Sequence, residues 1–388
     1  MRCKMNKLLK LMSYILVATL ASAATFAVMA FEPRNGYDKL DELRALIDEK
    51  FVGDFDWKTA EDAAAAGLIE GIGDRWSYYM SAERYETYLE QMNNSYVGVG
   101  ITVTEREDKY LDILEVTKGG PAEAAGIEPG GIVIRVGDQD ISEIGINGAT
   151  SLIKGEQGTE VTLTIRYDGV DREFTMTRSY FEITVAWGQM LTDGIGMVTI
   201  ENFDGRCADE TLAAIEELLD QGATKLIFDV RNNPGGYVSE LCDVLDYLLP
   251  AGDLFHSEYS DGKTQVIESD EKCLDIPMAV LINAESISAA EFFAAALDEY
   301  DAAVTVGQQT IGKGYFQQTY KLADGSAVGL SVGRYTTPNG VCLADVGLTP
   351  DVTVEVSEEL FWEIYYGNVS WQEDPQVQAA LEVLKNAE

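Results

Sequence analysis

The chain has 388 residues, 46% apolar and 24% charged, enough apolar surface for two or three packed units and too much for a disordered or fibrous protein. Its 66 acidic side chains against 28 basic ones give a formal net charge of -38, which repels polyanions and excludes nucleic acid as a partner. The five cysteines (Cys3, Cys207, Cys242, Cys273, Cys342) are widely spaced with no Cys-x-x-Cys or Cys/His cluster, so they suggest no metal site; after export the last four could pair, in a connectivity that sequence leaves open.

Arg2, Lys4, Lys7 and Lys10 form a basic head directly before an uncharged stretch at 11–31. About 20 apolar residues cover the hydrocarbon core of a bilayer as a helix. The stretch reads either as such an anchor or as a cleaved export signal, because Ala21-Ser22-Ala23 and Val28-Met29-Ala30 both resemble signal-peptidase sites. Its length favours the anchor. Either reading places the remainder outside the cytoplasm, and the anchor makes the membrane a partner.

Leu40, Leu43, Leu46 and Ile47 recur at helical spacing, so 37–91 reads as helical. From 96 to 177 the texture changes to short β-rich runs broken by glycine pairs, with strands predicted at 111–115, 132–136 and 161–166. Strands and helices then alternate: strand 197–200, helix 208–219 ended by Gly222, strand 225–230, a glycine turn, helix 237–249, strand 278–282 and helix 289–300. That order predicts an α/β sheet covered by helices. The segment after 357 reads as helical and acidic. The domain expectation is thus a signal segment at 1–31, a helical region at 32–94, a β-rich domain at 95–178, an α/β core at 179–356 and a helical tail at 357–388.

The chemistry begins with a scarcity, since His256 is the only histidine. A Ser-His-Asp triad needs an imidazole, yet this one sits in a polar, acidic stretch resembling a loop or hairpin, and neither Gly-x-Ser-x-Gly nor His-Glu-x-x-His occurs. Hydrolysis would therefore need another base, and a desolvated, neutral lysine can serve. Ser151-Leu152-Ile153-Lys154 has the Ser-x-x-Lys spacing of penicillin-recognising enzymes, but their separated companion elements are absent and the match is set aside.

Ser288 opens an alanine-rich helix after the apolar strand 278–282, where unpaired backbone N–H groups favour a developing oxyanion. Ser288 with Glu291 also reads as a simple capping box. Lys313 stands between Gly312 and Gly314, which lets the backbone approach its neighbours closely; alone, Gly-Lys-Gly is also an ordinary exposed turn. Gly235 and Gly236 end the run Arg231-Asn232-Asn233-Pro234 at a strand's carboxyl end, either as an oxyanion donor or as a plain turn.

Taken together, Asp229-Val230-Arg231-Asn232-Asn233-Pro234-Gly235-Gly236, Asn283-Ala284-Glu285-Ser286-Ile287-Ser288-Ala289-Ala290-Glu291 and Gly312-Lys313-Gly314-Tyr315-Phe316-Gln317 resemble the motifs of the carboxyl-terminal processing proteases in order and spacing. The resemblance covers nearly all of the exported chain. It extends to Trp76-Ser77-Tyr78-Tyr79-Met80, to 333–340 and to 347–351. The β-rich region is similar to a PDZ domain, inserted in or preceding a mixed α/β protease core, with 120–127 fitting the same module.

The resemblance implies Ser288 as nucleophile, Lys313 as general base and Gln317 as the residue that orients it. It implies an oxyanion hole from Ala289 and from Gly235 or Gly236. In the PDZ-like region it implies a carboxylate-binding loop at Tyr96, Val97, Gly98, Val99, Gly100 and Ile101, onto which a peptide C-terminus adds as a strand. It implies no metal or organic cofactor, and it leaves room for a regulatory protein or a homo-oligomer. Two departures stand out: Gly130-Gly131 replaces the usual Gly-Asp of the PDZ stretch, and Ile287 and Phe316 are bulkier than the family's alanine and valine. The competing expectation is a catalytically silent PDZ scaffold at the membrane surface that binds tails without cutting them.

Overall fold

The computed structural model describes residues 38–386 apart from position 193, so the basic head and the stretch 11–31 lie outside the described residues. No helix among the described residues is long and apolar enough to cross a membrane. The chain divides into a unit ending at Glu61 and a larger one from Asp62 onward. In the first, α1 (Asp38–Lys50) and the start of α2 (Trp57–Glu70) are tied by the Trp57 indole N–H donating to Asp48 at 3.1 Å.

The larger unit is mixed α/β. Its centre is a six-stranded sheet in the order β10 (Ala186–Thr192), β11 (Ile195–Ile200), β12 (Lys225–Asp229), β15 (Met278–Ile282), β16 (Ala303–Gly307), β19 (Val352–Thr353). All neighbours are parallel except β10 with β11. Every residue of β15 is buried, as a strand covered on both faces requires, and that explains its unbroken apolar run. One face is covered by α6 (Cys207–Asp220), α7 (Val238–Leu248) and α8 (Ala289–Glu299), the other by α10 (Pro375–Asn386). Residues 289–297 of α8 are all buried; its alanines admit close neighbours while Phe292 and Phe293 fill the core.

A second sheet runs β1 (Tyr78–Met80), β18 (Ala327–Thr336), β13 (Gly252–Tyr259), β14 (Thr264–Ser269), with β17 (Tyr315–Lys321) also on β18. Here the uniformly helical reading of 37–91 is corrected. α1, α2 and α3 (Ala82–Met92) are helices, but Tyr78–Met80 pairs antiparallel with β18. The two adjacent tyrosines suit a strand, and its partner lies far along the chain, beyond the reach of any local pattern.

β1 and α3 therefore flank the β-rich domain on one side and the α/β core on the other. Between them, β3 (Ile101–Glu105), β4 (Leu111–Val116), β5 (Ile132–Val136), β7 (Glu160–Tyr167) and β8 (Val170–Thr177) form a sheet in that order, with the short β6 (Gln139–Asp140) beside β5 and a core of its own. A ribbon of β2 (Ser95–Gly98) and β9 (Ser179–Glu182) closes its base. Helices α4 (Pro121–Ala124) and α5 (Ile141–Ile153) complete the domain, and α9 (Glu358–Tyr365) precedes α10 in the tail. The Gly130-Gly131 turn is held without an aspartate: Gly130 N–H donates to the Ile113 carbonyl at 2.8 Å, and Ile113 N–H donates to that of Gly131 at 2.9 Å.

Candidate active site

Two loops at the carboxyl ends of β12 and β15 are laced together. Asn232 N–H donates to Asn283 Oδ1 at 3.0 Å, the Asn283 amide donates back to Asn232 Oδ1 at 2.8 Å, and Ile287 N–H donates to the Asn233 carbonyl at 2.9 Å. The Ser286 hydroxyl donates to the Val230 carbonyl at 2.8 Å. Beneath them Arg231 is buried between Asp229 and Asp374, 2.6 and 2.8 Å away, so this motif arginine also ties the tail to the loop. A desolvated, bidentate guanidinium of this kind fixes geometry well.

The lacing sets Gly235 against Ser288. A Cβ at Gly235 would lie 2.8 Å from the Ile287 carbonyl and 2.9 Å from Ser288 Cβ, and its φ of +98° is one that glycine adopts without strain. Gly235 N–H is already committed, donating to Asn233 Oδ1 at 2.8 Å. In the neighbouring bridge, Phe203 N–H and carbonyl bond to the Gly235 carbonyl and Tyr237 N–H, which turns the Gly236 amide the other way. Among the described residues neither Gly236 N–H nor Ala289 N–H, the first amide of α8, has an acceptor.

Ser288 has φ 59° and ψ -113°, a sparsely populated conformation for a side-chain-bearing residue. Such strain persists only where the surroundings over-determine it. Glu291 does this: its fully buried carboxylate accepts from Ser288 N–H at 2.8 Å, Lys313 N–H at 2.9 Å, Gly312 N–H at 2.7 Å and the Thr310 hydroxyl at 2.6 Å. The sequence offered Glu291 only as half of a capping box. Its second role, holding the lysine loop, depends on a contact across the fold.

Gly312, with φ +85°, packs on the backbone of 343–347, where a Cβ would come within 2.8 Å of two amide nitrogens. Lys313 is thereby turned into a cavity of about 610 Å³ lined also by Ser288, Ala289, Gly235, Gly236 and Gln317. Burial lowers its amine pKa below the ordinary lysine value, while the charges of Glu291 and Asp74 pull it up. Its Nζ lies 5.0 Å over the Trp76 ring. The Tyr335 hydroxyl donates to the Lys313 carbonyl, and burial pushes that phenol up.

The Gln317 side-chain amide donates to Ser331 Oγ at 3.1 Å and to the Tyr315 carbonyl at 3.2 Å. Of the two bulky departures, Phe316 lines the cavity and Ile287 does not. His256 sits in the β13–β14 hairpin against Asp253, away from the cavity lining. Cys207, Cys242, Cys273 and Cys342 are free thiols, and burial pushes the first two up to about 12. No cluster of metal-ligating side chains occurs among the described residues.

In the β-rich domain, Tyr96, Gly98, Val99, Gly100 and Ile101 line a groove between β3 and α5, together with Val103, Thr150, Ile153 and Lys154. Val97 instead pairs with Tyr180 in the β2–β9 ribbon. β3 is an edge strand, so one side of its backbone is unpaired and faces the groove. Lys154, at the end of α5, is 3.5 Å from Glu90 and 5.8 Å from the Tyr96 ring centre. The discarded Ser-x-x-Lys run thus belongs to this groove, a role that no local signal marks.

Comparison with known proteins agrees with this layout. Residues 194–354 match the family model "Peptidase family S41", and 89–166 match "PDZ domain". The carboxy-terminal processing protease CtpA of Bacillus subtilis is 31% identical over 91% of this chain and 79% of its own length. A probable CtpA-like serine protease of Staphylococcus saprophyticus is 26% identical over 88% and 72%. A solved structure of a putative S41 protease from Bacteroides fragilis, 18% identical, shares the fold with a TM-score of 0.52 over 86% of this chain and 92% of that one. The chain is a serine-type peptidase of family S41, a carboxy-terminal processing protease with a PDZ domain.

Proposed function

We propose that this protease cuts exported proteins near apolar C-terminal tails with a Ser288/Lys313 dyad. The observation that carries the reading is that one cavity is lined by a strained Ser288, a desolvated Lys313 and two residues with unpartnered amides. Neutral Lys313 takes the Ser288 proton as Oγ attacks the peptide carbonyl, with the Gln317 side chain orienting the amine. The Gly236 and Ala289 amides hold the oxyanion, and Gly235 provides the close approach. As the intermediate collapses, the C–N bond breaks and Lys313 passes its proton to the leaving amine. Water then attacks the acyl-enzyme, giving its proton to Lys313, which passes it to the departing Ser288 Oγ, so that the acid is released and both the free serine and the neutral lysine are restored.

The tail adds as a strand to β3, its carboxylate at the loop 96–101 beside Lys154. Tethering by the stretch 11–31 holds the enzyme outside the cytoplasm. Mass spectrometry of an unfolded protein with an apolar tail tests the dyad: wild type yields fragments with or without chelator, and Ser288→Ala and Lys313→Ala do not. Undiminished cutting by either variant sinks the dyad, and binding without any cutting by the wild type marks a scaffold. Amidating the tail weakens groove binding if the carboxylate is read there. Fractionation, with external protease digestion of intact cells, tests the tether.

A further inference from the structure

One carboxylate in the catalytic cavity is unused by this mechanism. Asp204 lines the cavity, and its Oδ1 is the single buried side-chain oxygen or nitrogen among the described residues that has no hydrogen-bond partner. Buried polar atoms are nearly always satisfied, so an orphan oxygen on a residue that lines a substrate cleft calls for a ligand. Asp204 stands directly beside the amide row: a Cβ on Gly236 would be 2.7 Å from Asp204 N. Among the described residues no cation serves it. Arg206, two residues on, donates instead to the carbonyls of Asn93, Asn94 and Ile183 and to Glu210.

We propose that Asp204 is the anionic end of a substrate subsite beside Gly236 that takes a lysine or arginine side chain adjacent to the scissile bond. This rests on the protease reading above. Leu89, Met92 and Leu241 offer apolar wall for an aliphatic stem, and the rings of Tyr85, Tyr88 and Tyr237 offer faces to a cation. Glu240, close behind, adds negative potential, and burial with that charge pushes the Asp204 carboxyl up to about 7. A bound cation reverses this and restores the ionised form. A neutral donor satisfies the oxygen but leaves the charge unmatched.

The test compares kcat/KM for peptides that share one apolar tail and differ at a single position flanking the cut, carrying lysine, arginine, norleucine or glutamate. The wild type favours a basic residue over norleucine by about tenfold or more at one such position. In Asp204→Asn that ratio falls towards one, and in Asp204→Lys the glutamate peptide overtakes the lysine peptide. Circular dichroism establishes that both variants are folded. Cutting without a basic preference at any flanking position, or a preference that survives Asp204→Asn, overturns the subsite alone. Failure of the wild type to cut any peptide overturns the protease reading and the subsite with it.

Discussion

Ser288 and Lys313, 25 residues apart in the chain, donate their backbone N–H groups to the same oxygen, Oε2 of Glu291, at 2.8 and 2.9 Å. The other oxygen holds Gly312 and Thr310. The proposed nucleophile and base are thus registered through a single buried carboxylate before any substrate arrives, the kind of preorganisation on which rate depends.

Glu291→Gln replaces one acceptor oxygen by an NH2 facing two donors, so two of the four hydrogen bonds are lost in a buried site. The expected outcome is a kcat lower by at least about 100-fold with a smaller change in KM. Urea unfolding should show a loss of about 2–6 kcal/mol, from two buried donors left unsatisfied at about 1–3 kcal/mol each. A folded variant with wild-type kcat would remove Glu291 from the mechanism.

The pH dependence follows from Lys313. The amine must be neutral to accept a proton, so kcat/KM rises with pH through its pKa, which burial sets below the ordinary 10.5. Asp74 favours the charged amine, and taking that charge away lowers the pKa further. Asp74→Asn is therefore expected to move the ascending limb to lower pH. A limb that stays in place, or moves up, contradicts the assignment of Lys313 as the base.

Gly235→Ala probes the close approach. The added methyl meets the Ile287 carbonyl, Ser288 Cβ and the Ala289 amide within 3.1 Å, on a backbone with φ +98°. The loop has to shift, taking the Gly236 amide with it. Removing one oxyanion donor typically slows catalysis about 100- to 1,000-fold, and a comparable fall in kcat is expected here. An unchanged kcat would show that the amides of this turn do not face the reacting carbonyl.

Much of this was legible in the sequence, for definable reasons. β15 declared itself by five consecutive apolar residues, the turn before α8 by Ser288 and Glu291, and the α/β alternation by its punctuation with glycine. The resemblance then fixed the order of the motifs. Contacts made across the fold were not legible. Tyr78–Met80 becomes a strand only because β18 offers an edge, and Glu291 reaches Lys313 only once β16 is in place. Asp204 looked like any acidic residue in an acidic chain, since neither its burial nor its missing partner leaves a local trace.

That missing partner also predicts a dependence of stability on pH. The Asp204 carboxyl rises from its ordinary 3.8 to about 7 in the folded protein, chiefly through burial and secondly through Glu240. Between those two values the native state keeps a proton that the unfolded chain has released, so this group makes the protein less stable as pH rises from 3.8 to about 7, and the loss persists above. Asp204→Asn cannot ionise. Its melting temperature should match the wild type near pH 3.5, exceed it progressively through the window and hold a constant lead at pH 8, by at most about 4 kcal/mol in stability and less given the residue's partial exposure. Basic peptide should narrow that lead by stabilising the ionised wild type alone. A variant that melts below the wild type at pH 8 would mean that the carboxylate already has its partner within the fold.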